Sequence, residues 1–419
     1  MINPRIFYTA LLWPLLPCIF FYLAWRARKQ PEYLQHISER FGFYTARSNK
    51  PIVWLHTVSV GETRAAASLV RRLREKYPGH QLLLTHTTPT GRATSEQLYG
   101  NDVLRIYLPY DYPFAVRRFL LHFRPVVGVL LETEIWFNLI HQCHQYQIPL
   151  LLLNARLSEK SAARYMRFPR LTRNGLNELR AIAAQTEADA ARLTALGAHD
   201  VSVMGNLKFE IEPPPVMLQL GGQLRELFGA DRKIFLAAST REGEEELLLG
   251  VLEQIKVSGL LIIIVPRHPQ RFDEVAEMIE RCGFRFRRRS EHLPVAPETQ
   301  VVLGDSMGEM FAYYAACDIA LIGGSLLPFG GQNLIEACAV GKPVLIGPHT
   351  YNFAQASEQA VELGAAQRLA SIEKLAERLH HLFGHPAELA AMSEQGKKFV
   401  AAHRGATAVA LRIIQENLT

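Results

Sequence analysis

The chain has 419 residues, of which 48% are hydrophobic and 21% are charged, with a formal net charge of +6 at pH 7. This length predicts two domains, and the ordinary charged fraction excludes extended disorder. Five scattered cysteines without C-x-x-C spacing indicate a reducing compartment and no zinc site; they are Cys18, Cys143, Cys282, Cys317 and Cys338.

An apolar run at residues 6–25 is interrupted only by prolines and a threonine. Its length matches the ~20 residues that a helix needs to cross a bilayer. One basic residue, Arg5, precedes the run, and three follow it: Arg26, Arg28 and Lys29. The positive-inside tendency therefore predicts an N-terminal membrane anchor with the rest of the chain in the cytoplasm.

Two alternatives to a spanning helix remain for this run. A cleaved signal peptide is disfavoured because no A-x-A cleavage site follows the long aromatic stretch. Pro14 and Pro17 would kink a spanning helix, so a membrane hairpin or an interfacial segment stays open.

The rest of the chain alternates short apolar strands with helical patterns. The strands are predicted at residues 52–56, 81–85, 126–131, 149–153 and 181–184, and then at 234–238, 260–265, 301–303, 319–322 and 343–346. Apolar strands separated by helices indicate parallel, doubly wound sheets. Three consecutive prolines at 213–215 predict a linker between two α/β halves. Ligands of such sheets bind outside the carboxyl ends of the strands, so the strand-to-helix loops are the candidate sites.

Acidic residues follow two predicted strands of the first half. Ser59 and Glu62 have the S-x-x-E spacing of a helix capping box, which spacing alone favours. Glu62 is alternatively a general base at the top of the first strand, although a helix N-terminus would lower its pKa and weaken it as a base. Glu132 and Glu134 follow a buried strand, where charge is costly, but acidic capping of the next helix explains them equally. Lys208 lies just before the linker. Its positive charge suits the binding of an anionic substrate, but a lone lysine is usually a solvated surface residue.

Polar and glycine-rich loops follow several strands of the second half. Arg267 ends the most apolar strand and suits recognition of a phosphate or carboxylate. The segment G-G-Q-N-L-I-E at 330–336 leads into a helix, where backbone N–H groups form an anion site, and Glu336 could hold a ribose diol. Tight turns are the alternative for each glycine pair. Several such loops in one half together indicate nucleotide binding.

Eleven short motifs occur in one order along the chain. They are E-R-F-G at 39–42, S-V-G-E-T at 59–63, T-P-T-G at 88–91, L-P-Y-D at 108–111, E-T-E-I-W at 132–136, N-A-R-L-S at 154–158, L-K-F at 207–209, V-P-R-H-P at 265–269, G-D-S-M-G-E at 304–309, G-G-S-L at 323–326 and G-P-H-T at 347–350. In this order the set resembles the family of 3-deoxy-D-manno-octulosonic acid (Kdo) transferases of lipopolysaccharide synthesis.

The resemblance implies the GT-B glycosyltransferase fold, with two Rossmann-like domains whose parallel sheets face each other across a cleft. The implied organisation is an anchor at residues 1–29, an acceptor-binding α/β domain at 30–210, a linker at 211–216 and a CMP-Kdo-binding α/β domain with C-terminal helices at 217–419.

The resemblance also implies roles for individual residues. Glu62 is the catalytic base in this interpretation, which reverses the preference for a cap alone, and Glu132 and Lys208 stabilise the transition state. The implied CMP contacts are Pro266, Arg267, Met307, Gly308, Glu309, Asn333, Leu334, Ile335 and Glu336. The sequence lacks a D-x-D motif of the kind that holds a nucleotide-bound metal, so we expect neither a metal nor a cofactor.

The expected activity is inverting transfer of Kdo from CMP-Kdo onto a lipid A precursor (lipid IVA) at the cytoplasmic face of a bacterial inner membrane. Its partners would be the donor, the acceptor and membrane lipids; no nucleic acid is expected, because basic residues interleaved with aromatic ones are almost lacking. One alternative is a soluble non-hydrolysing epimerase of the same fold, which the apolar N-terminus disfavours. A second is a non-catalytic lipid- or nucleotide-binding scaffold, which the retained acidic loop residues disfavour.

Overall fold

The computed structural model describes residues 4–28 and 30–418. The chain divides into two compact units, Met1–Glu210 with His403–Thr419, and Ile211–Ala402. In the described residues each unit contains a parallel sheet of seven strands covered by helices.

The sheet of the first unit has the order β3-β2-β1-β4-β5-β6-β7. Its strands are β1 (Ile52–His56), β2 (Gln81–His86), β3 (Leu104–Tyr107), β4 (Pro125–Leu131), β5 (Leu150–Ala155), β6 (Ala181–Ala184) and β7 (Val201–Val203). The order reverses between the neighbours β1 and β4, which pair in parallel. Such a reversal places the loops after β1 and β4 at the topological switch point, where ligands of open α/β sheets bind.

Helices cover both faces of this sheet, and leucine, valine and alanine from the strands and helices form its two buried cores. The helices are α1 (Pro4–Leu12), α2 (Leu16–Ala27), α3 (Val60–Ala65), α4 (Ala67–Lys76), α5 (Pro89–Tyr99), α6 (Pro113–Phe123), α7 (Phe137–Gln145), α8 (Glu159–Tyr165), α9 (Pro169–Asn177) and α10 (Glu187–Ala195).

The second unit repeats this plan, with the sheet order β10-β11-β9-β8-β12-β13-β14. Its strands are β8 (Lys233–Thr240), β9 (Leu260–Pro266), β10 (Phe286–Arg288), β11 (Val301–Leu303), β12 (Ile319–Ile322), β13 (Val344–Ile346) and β14 (Ala366–Arg368). Its helices are α11 (Pro215–Phe228), α12 (Glu244–Leu252), α13 (Phe272–Arg281), α14 (Met310–Ala316), α15 (Ile335–Val340), α16 (Ala354–Glu362), α17 (Lys374–Gly384) and α18 (Pro386–Ala402). Here the order reverses between β8 and β12.

The last helix, α19 (Ala406–Asn417), belongs to the first unit. The predicted domain at 217–419 differs from the second unit at this end. The reason is apolar burial, because Ala406, Ala410 and Ile414 join the core formed by strands of the first sheet. The carboxylate of Glu210 also accepts hydrogen bonds from the N–H groups of Gly405 at 2.6 Å and Thr407 at 3.2 Å, at the start of α19.

The apolar N-terminal run forms α1 and α2, which are separated by a short 3-10 turn at Trp13–Leu15 that contains Pro14. By length and composition alone, Pro4–Ala27 is able to cross a membrane. One face of this segment is attached to the first unit, since Leu23 is buried and the hydroxyl of Tyr8 donates to Asp111 at 2.9 Å. Lys29, one of the basic residues after the run, lies outside the described residues.

Candidate active site

Glu62 lies in the first turn of α3, directly after β1. Its backbone N–H donates to the hydroxyl oxygen of Ser59 at 3.3 Å, which confirms Ser59 as the N-cap, the first half of the predicted capping box. The carboxylate turns back toward the loop and accepts from Val58 N–H at 2.7 Å and from the Ser59 hydroxyl at 2.9 Å. Both carboxylate oxygens are thus held in a fixed orientation at the carboxyl end of β1.

The protonation of Glu62 differs from the expectation for a helix N-terminus. Burial raises the pKa of Glu62 to about 7, although the hydrogen bonds from Val58 and Ser59 lower it; the nearby charges of Glu132 and Glu134 raise it further. The prediction of a lowered pKa is therefore wrong, because the loss of solvent outweighs the cap. A carboxyl group with a pKa near neutrality is matched to general-base work.

Glu132 follows β4, the neighbour of β1, and lies in an ion pair with Lys208. The Lys208 Nζ atom is 3.2 Å from Glu132 Oε1, and both side chains are mostly buried. Glu132 adopts a φ of 62°, which is unusual for a residue with a side chain. Backbone strain of this kind occurs where the surroundings hold a residue in a functional position. Of the three predicted catalytic residues, Glu62 and Glu132 thus lie in the loops at the switch point, and Lys208 lies in the loop after β7.

A network of amides positions Lys208. Asn154, also at positive φ (54°), accepts through Oδ1 from Leu207 N–H at 3.0 Å. Asn206 accepts from Lys208 N–H at 2.9 Å, and its amide donates to Gln185 at 3.0 Å. Leu207 and Phe209 are buried on either side of Lys208. No role was predicted for Asn154, although it begins the N-A-R-L-S motif, or for Asn206 beside Lys208, and Gln185 was not among the predicted residues.

His56 and Glu134 add a further buried contact, with 3.9 Å between His56 Nε2 and Glu134 Oε2. Burial, together with the charge of His86, lowers the pKa of His56 to about 3, so its ring is neutral near pH 7. Burial raises the pKa of Glu134. His56 was not among the predicted site residues, because it ends an apolar strand and belongs to no distinguishing motif.

Pro266 and Arg267 lie at the carboxyl end of β9 in the second unit. Pro266 is paired with Thr240 of β8, and Arg267 N–H donates to Thr240 O at 2.9 Å. Arg267 is partly exposed. The central strands of the sheet therefore hold its backbone where ligands of such sheets bind.

The loop after β11 contains the next three predicted donor residues. Glu309 accepts from the hydroxyl of Ser306 at 2.6 Å and from Arg289 Nη2 at 3.3 Å. Gly308 has a φ of 83°, and Met307 is 54% exposed. The loop thus presents Met307 and Gly308 to solvent and fixes the Glu309 carboxylate.

The segment after β12 contains the remaining four predicted donor residues, which are Asn333, Leu334, Ile335 and Glu336. Asn333 Oδ1 accepts from Ile335 N–H at 3.1 Å, and Asn333 Nδ2 donates to Glu336 at 3.2 Å. The side chains of Leu334 and Ile335 are buried in the core. Any contact of these two residues with a ligand would therefore run through their backbone groups.

Glu244, which was not among the predicted site residues, holds the loops of this region together. Its buried carboxylate accepts from the N–H groups of Gly324 at 2.6 Å, Leu326 at 2.9 Å and Arg241 at 2.9 Å. It therefore joins the loops after β8 and β12, the two strands at the reversal of the second sheet. The only signal in the sequence is the row of three glutamates at 244–246, which is typical of an ordinary helix start.

No group of three or more His, Cys, Asp or Glu side chains that could hold a metal ion occurs within residues 4–28 and 30–418. The charged groups among the predicted residues are Glu62, Glu132 and Lys208 in the first unit and Arg267, Glu309 and Glu336 in the second.

Comparison with known proteins identifies the family. The sequence model of the family described as 3-deoxy-D-manno-octulosonic-acid transferase (kdotransferase) matches residues 35–211. A 3-deoxy-D-manno-octulosonic acid transferase of Bordetella pertussis is 40% identical over 424 residues, which cover 98% of each chain. The transferase of the same description from Haemophilus influenzae is 38% identical over 380 residues, which cover 89% of each chain.

Solved structures share the fold. A UDP-GlcNAc 2-epimerase of Neisseria meningitidis, solved with UDP-GlcNAc, is 16% identical, with a TM-score of 0.59 over 87% of this chain and 100% of that one. At this identity the likeness shows the fold alone. Together with the two parallel sheets, it confirms the predicted GT-B architecture. Both relatives in sequence are Kdo transferases, which decides between the transferase and the epimerase alternative. The chain belongs to the Kdo transferase family and is a glycosyltransferase.

Proposed function

We propose that the chain transfers Kdo from CMP-Kdo to a hydroxyl group of a lipid A precursor, lipid IVA, with inversion at the anomeric carbon. The observation that carries the proposal is Glu62, a buried and hydrogen-bonded carboxylate whose pKa is raised to about 7. It lies at the switch point of the first unit, which we assign to the acceptor.

In this mechanism the Glu62 carboxylate accepts the proton of the acceptor hydroxyl as the hydroxyl oxygen attacks the anomeric carbon of Kdo. The bond from the anomeric carbon to the phosphate oxygen breaks, and CMP leaves with the electron pair. Attack from the side opposite CMP inverts the configuration. Glu62 ends the step protonated and then loses its proton to solvent.

Positive charge stabilises the leaving phosphate. Lys208 is held by Glu132 at 3.2 Å, so its ammonium group is oriented before the substrate binds. We assign CMP-Kdo to the second unit, where Arg267 and the loops at 307–309 and 333–336 share the carboxyl edge of one sheet. A monophosphate leaving group develops less charge than a pyrophosphate, so this mechanism needs no metal ion.

We further propose that α1 and α2 attach the enzyme to the cytoplasmic face of a bacterial inner membrane. The exposed apolar side chains of these helices and of the turn between them support this assignment; they include Ile6, Phe7, Leu11, Trp13, Leu15, Phe20, Phe21, Tyr22 and Trp25. Contact with the lipid phase would bring the first unit to its lipid acceptor.

The direct test is incubation of the detergent-solubilised full chain with CMP-Kdo and tetra-acylated lipid A precursor, followed by mass analysis of the lipid. We expect a product heavier by one or more Kdo residues, also in the presence of excess EDTA. An unchanged lipid with intact CMP-Kdo would contradict the proposal, and activity that EDTA abolishes and magnesium restores would contradict metal independence.

A further inference from the structure

A groove of about 610 Å³ lies within the first unit, between α1 and the segment from α8 to α9. Its walls are mainly apolar, and its main lining residues are Phe7, Tyr8, Leu11, Phe137, Tyr165 and Phe168. Sites for small ligands typically have volumes of about 300–1,000 Å³ and apolar walls. The groove therefore has the size and lining of a site for an apolar ligand.

One wall of the groove is held in place by polar contacts below it. Asp111 accepts from the hydroxyl of Tyr8 at 2.9 Å and from the N–H groups of Asn138 at 3.0 Å and Leu139 at 2.8 Å. The ring of Tyr8 meets that of Phe137 edge-on at 5.3 Å. These contacts fix α1 against the start of α7, so the groove is preformed.

The groove is open, and its mouth is both apolar and basic. Phe7, Leu11 and Phe168 each expose more than half of their surface, which is costly in water but not in contact with lipid. Arg164 and Arg170 line the same groove. Apolar walls with positive charge at the opening match the chemistry of an acyl chain attached to an anionic head group.

One wall of the groove adjoins the loop that carries Glu132 and Glu134. Phe137 follows directly after the Glu132–Trp136 loop, and Ile135, Trp136 and Tyr165 pack against the same apolar core. The pKa of Tyr165 is raised by burial and by the charge of Glu134. A ligand lying along Phe137 and Tyr165 would thus extend toward the loop that carries Glu132 and Glu134.

We propose that this groove binds an acyl chain of the lipid acceptor and so directs the acceptor's sugar head toward Glu62. The proposal rests on the proposed function, because it concerns the substrate of the same site. A chain of bulk membrane phospholipid is the competing occupant. We favour the acceptor, because the wall formed by Phe137 and Tyr165 leads to the loop that carries Glu132 and Glu134.

The test fills the groove from Ser161, a small lining residue on α8. Ser161→Trp places an indole ring where the acyl chain would lie, and the matched control Ala163→Trp places the same ring on the exposed side of the same helix. The full chain is assayed in detergent with CMP-Kdo and two acceptors, the tetra-acylated precursor and its fully deacylated phosphorylated sugar.

We expect Ser161→Trp to raise the KM for the acylated acceptor by roughly tenfold or more, since losing even one or two methylene groups from an apolar pocket has an effect of that order. Transfer to the deacylated acceptor should stay within about twofold of wild type, as should both reactions of Ala163→Trp. That result also shows that Ser161→Trp is folded. Equal KM values in the two tryptophan variants, or an equal loss on both acceptors, would overturn the proposal.

Photo-crosslinking identifies the occupant without using turnover. An acceptor with a diazirine in one acyl chain should label residues of α1 and the 164–172 segment in the wild type but not in Ser161→Trp. Labelling by a diazirine phospholipid that excess acceptor does not displace would assign the groove to bulk lipid and reject the proposal. A wild-type chain that is labelled by the acceptor but transfers no Kdo would reject the proposed function and keep the groove assignment.

Discussion

Lys208 and Glu132 form an ion pair of 3.2 Å at the carboxyl edge of the first sheet, with about four fifths of each side chain removed from solvent. Removing one member of a mostly buried pair leaves the other charge without compensation, which costs more than the pair contributes to stability. The pair therefore has a structural and a proposed catalytic role, and the two can be separated experimentally.

The first prediction uses a double-mutant cycle on this pair. Lys208→Met should lower the free energy of unfolding by roughly 1–3 kcal/mol, because Glu132 is left partly buried and unpaired. Adding Glu132→Gln should restore most of this stability but none of the turnover, which should remain roughly 10²–10³-fold below wild type. Denaturant titration and the transfer assay on Lys208→Met, Glu132→Gln and the double variant measure the cycle. Recovery of turnover in the double variant would show that the pair acts only on stability.

The second prediction concerns donor binding by Arg267. Arg267→Ala should raise the KM for CMP-Kdo strongly, and Arg267→Lys should recover only part of the loss, since lysine cannot reproduce a bidentate guanidinium. The matched control is Arg281→Ala, an exposed arginine at the end of α13. Isothermal titration with CMP checks the same order of affinities. Wild-type affinity in both Arg267 variants would place the phosphate site elsewhere.

The third prediction concerns membrane attachment. Phe21 and Trp25 are 77% and 59% exposed on α2. Changing both to Glu should move the protein from washed membranes to the soluble fraction with little change in Tm, because neither side chain packs in the core. Leu98→Glu, at an exposed position on α5, is the control and should leave the protein on the membrane. Full sedimentation of the double variant with membranes would mean that this face is not the one that binds lipid.

The fourth prediction is a pH dependence of stability at Asp111. Burial raises the pKa of Asp111 to about 7, against an ordinary value of 3.8. Because the folded-state pKa is the higher one, the stabilisation from the bound proton is present below about pH 3.8 and is lost as the pH rises through about 7. Asp111→Asn removes this titration, so the wild type should lose stability relative to the variant between pH 4 and 7. Urea titrations at several pH values measure the difference, and a constant difference over this window would contradict the assignment.

The sequence predicted the strands that are buried on both faces but not those at the edges of the sheets. β3, β7, β10 and β14 were missed because they are short and partly exposed, so they lack a continuous apolar run. The predicted loops do lie at the carboxyl edges of the two sheets. This followed from the strand pattern, since all parallel strands of a sheet end at the same edge.

Long-range contacts explain what the sequence could not predict at the site. The S-x-x-E spacing predicted the cap at Glu62, but the raised pKa depends on burial and on Glu132 and Glu134, which lie in another loop. The three N–H groups that hold Glu244 likewise come from two loops that are distant in sequence. Single-sequence patterns report local hydrogen bonds well, but they carry no information on how deeply a charge is buried.

The last prediction separates the two roles of Glu62. Glu62→Gln can keep the hydrogen bond from Val58 N–H through its amide oxygen, and its amide can donate to Ser59, so the cap should survive. The raised folded-state pKa means that the stabilisation from the Glu62 proton is present below about pH 4.5 and lost as the pH rises through about 7. At pH 8 the glutamine variant should therefore lose no more than ~1 kcal/mol of stability.

Turnover, unlike stability, should change strongly in Glu62→Gln. Glutamine cannot accept a proton at neutral pH, so transfer should fall by roughly 10²–10⁴ while CMP still binds. In the wild type, turnover should decline as the pH falls through about 7, where Glu62 becomes protonated. Ser59→Ala is the matched control: it removes the cap at a cost of about 0.5–2 kcal/mol but keeps the carboxylate. Because the Ser59 hydroxyl lowers the pKa of Glu62, its loss should also move the midpoint of the pH–rate profile upward. A folded, CMP-binding Glu62→Gln with near-normal turnover would reduce Glu62 to a helix cap.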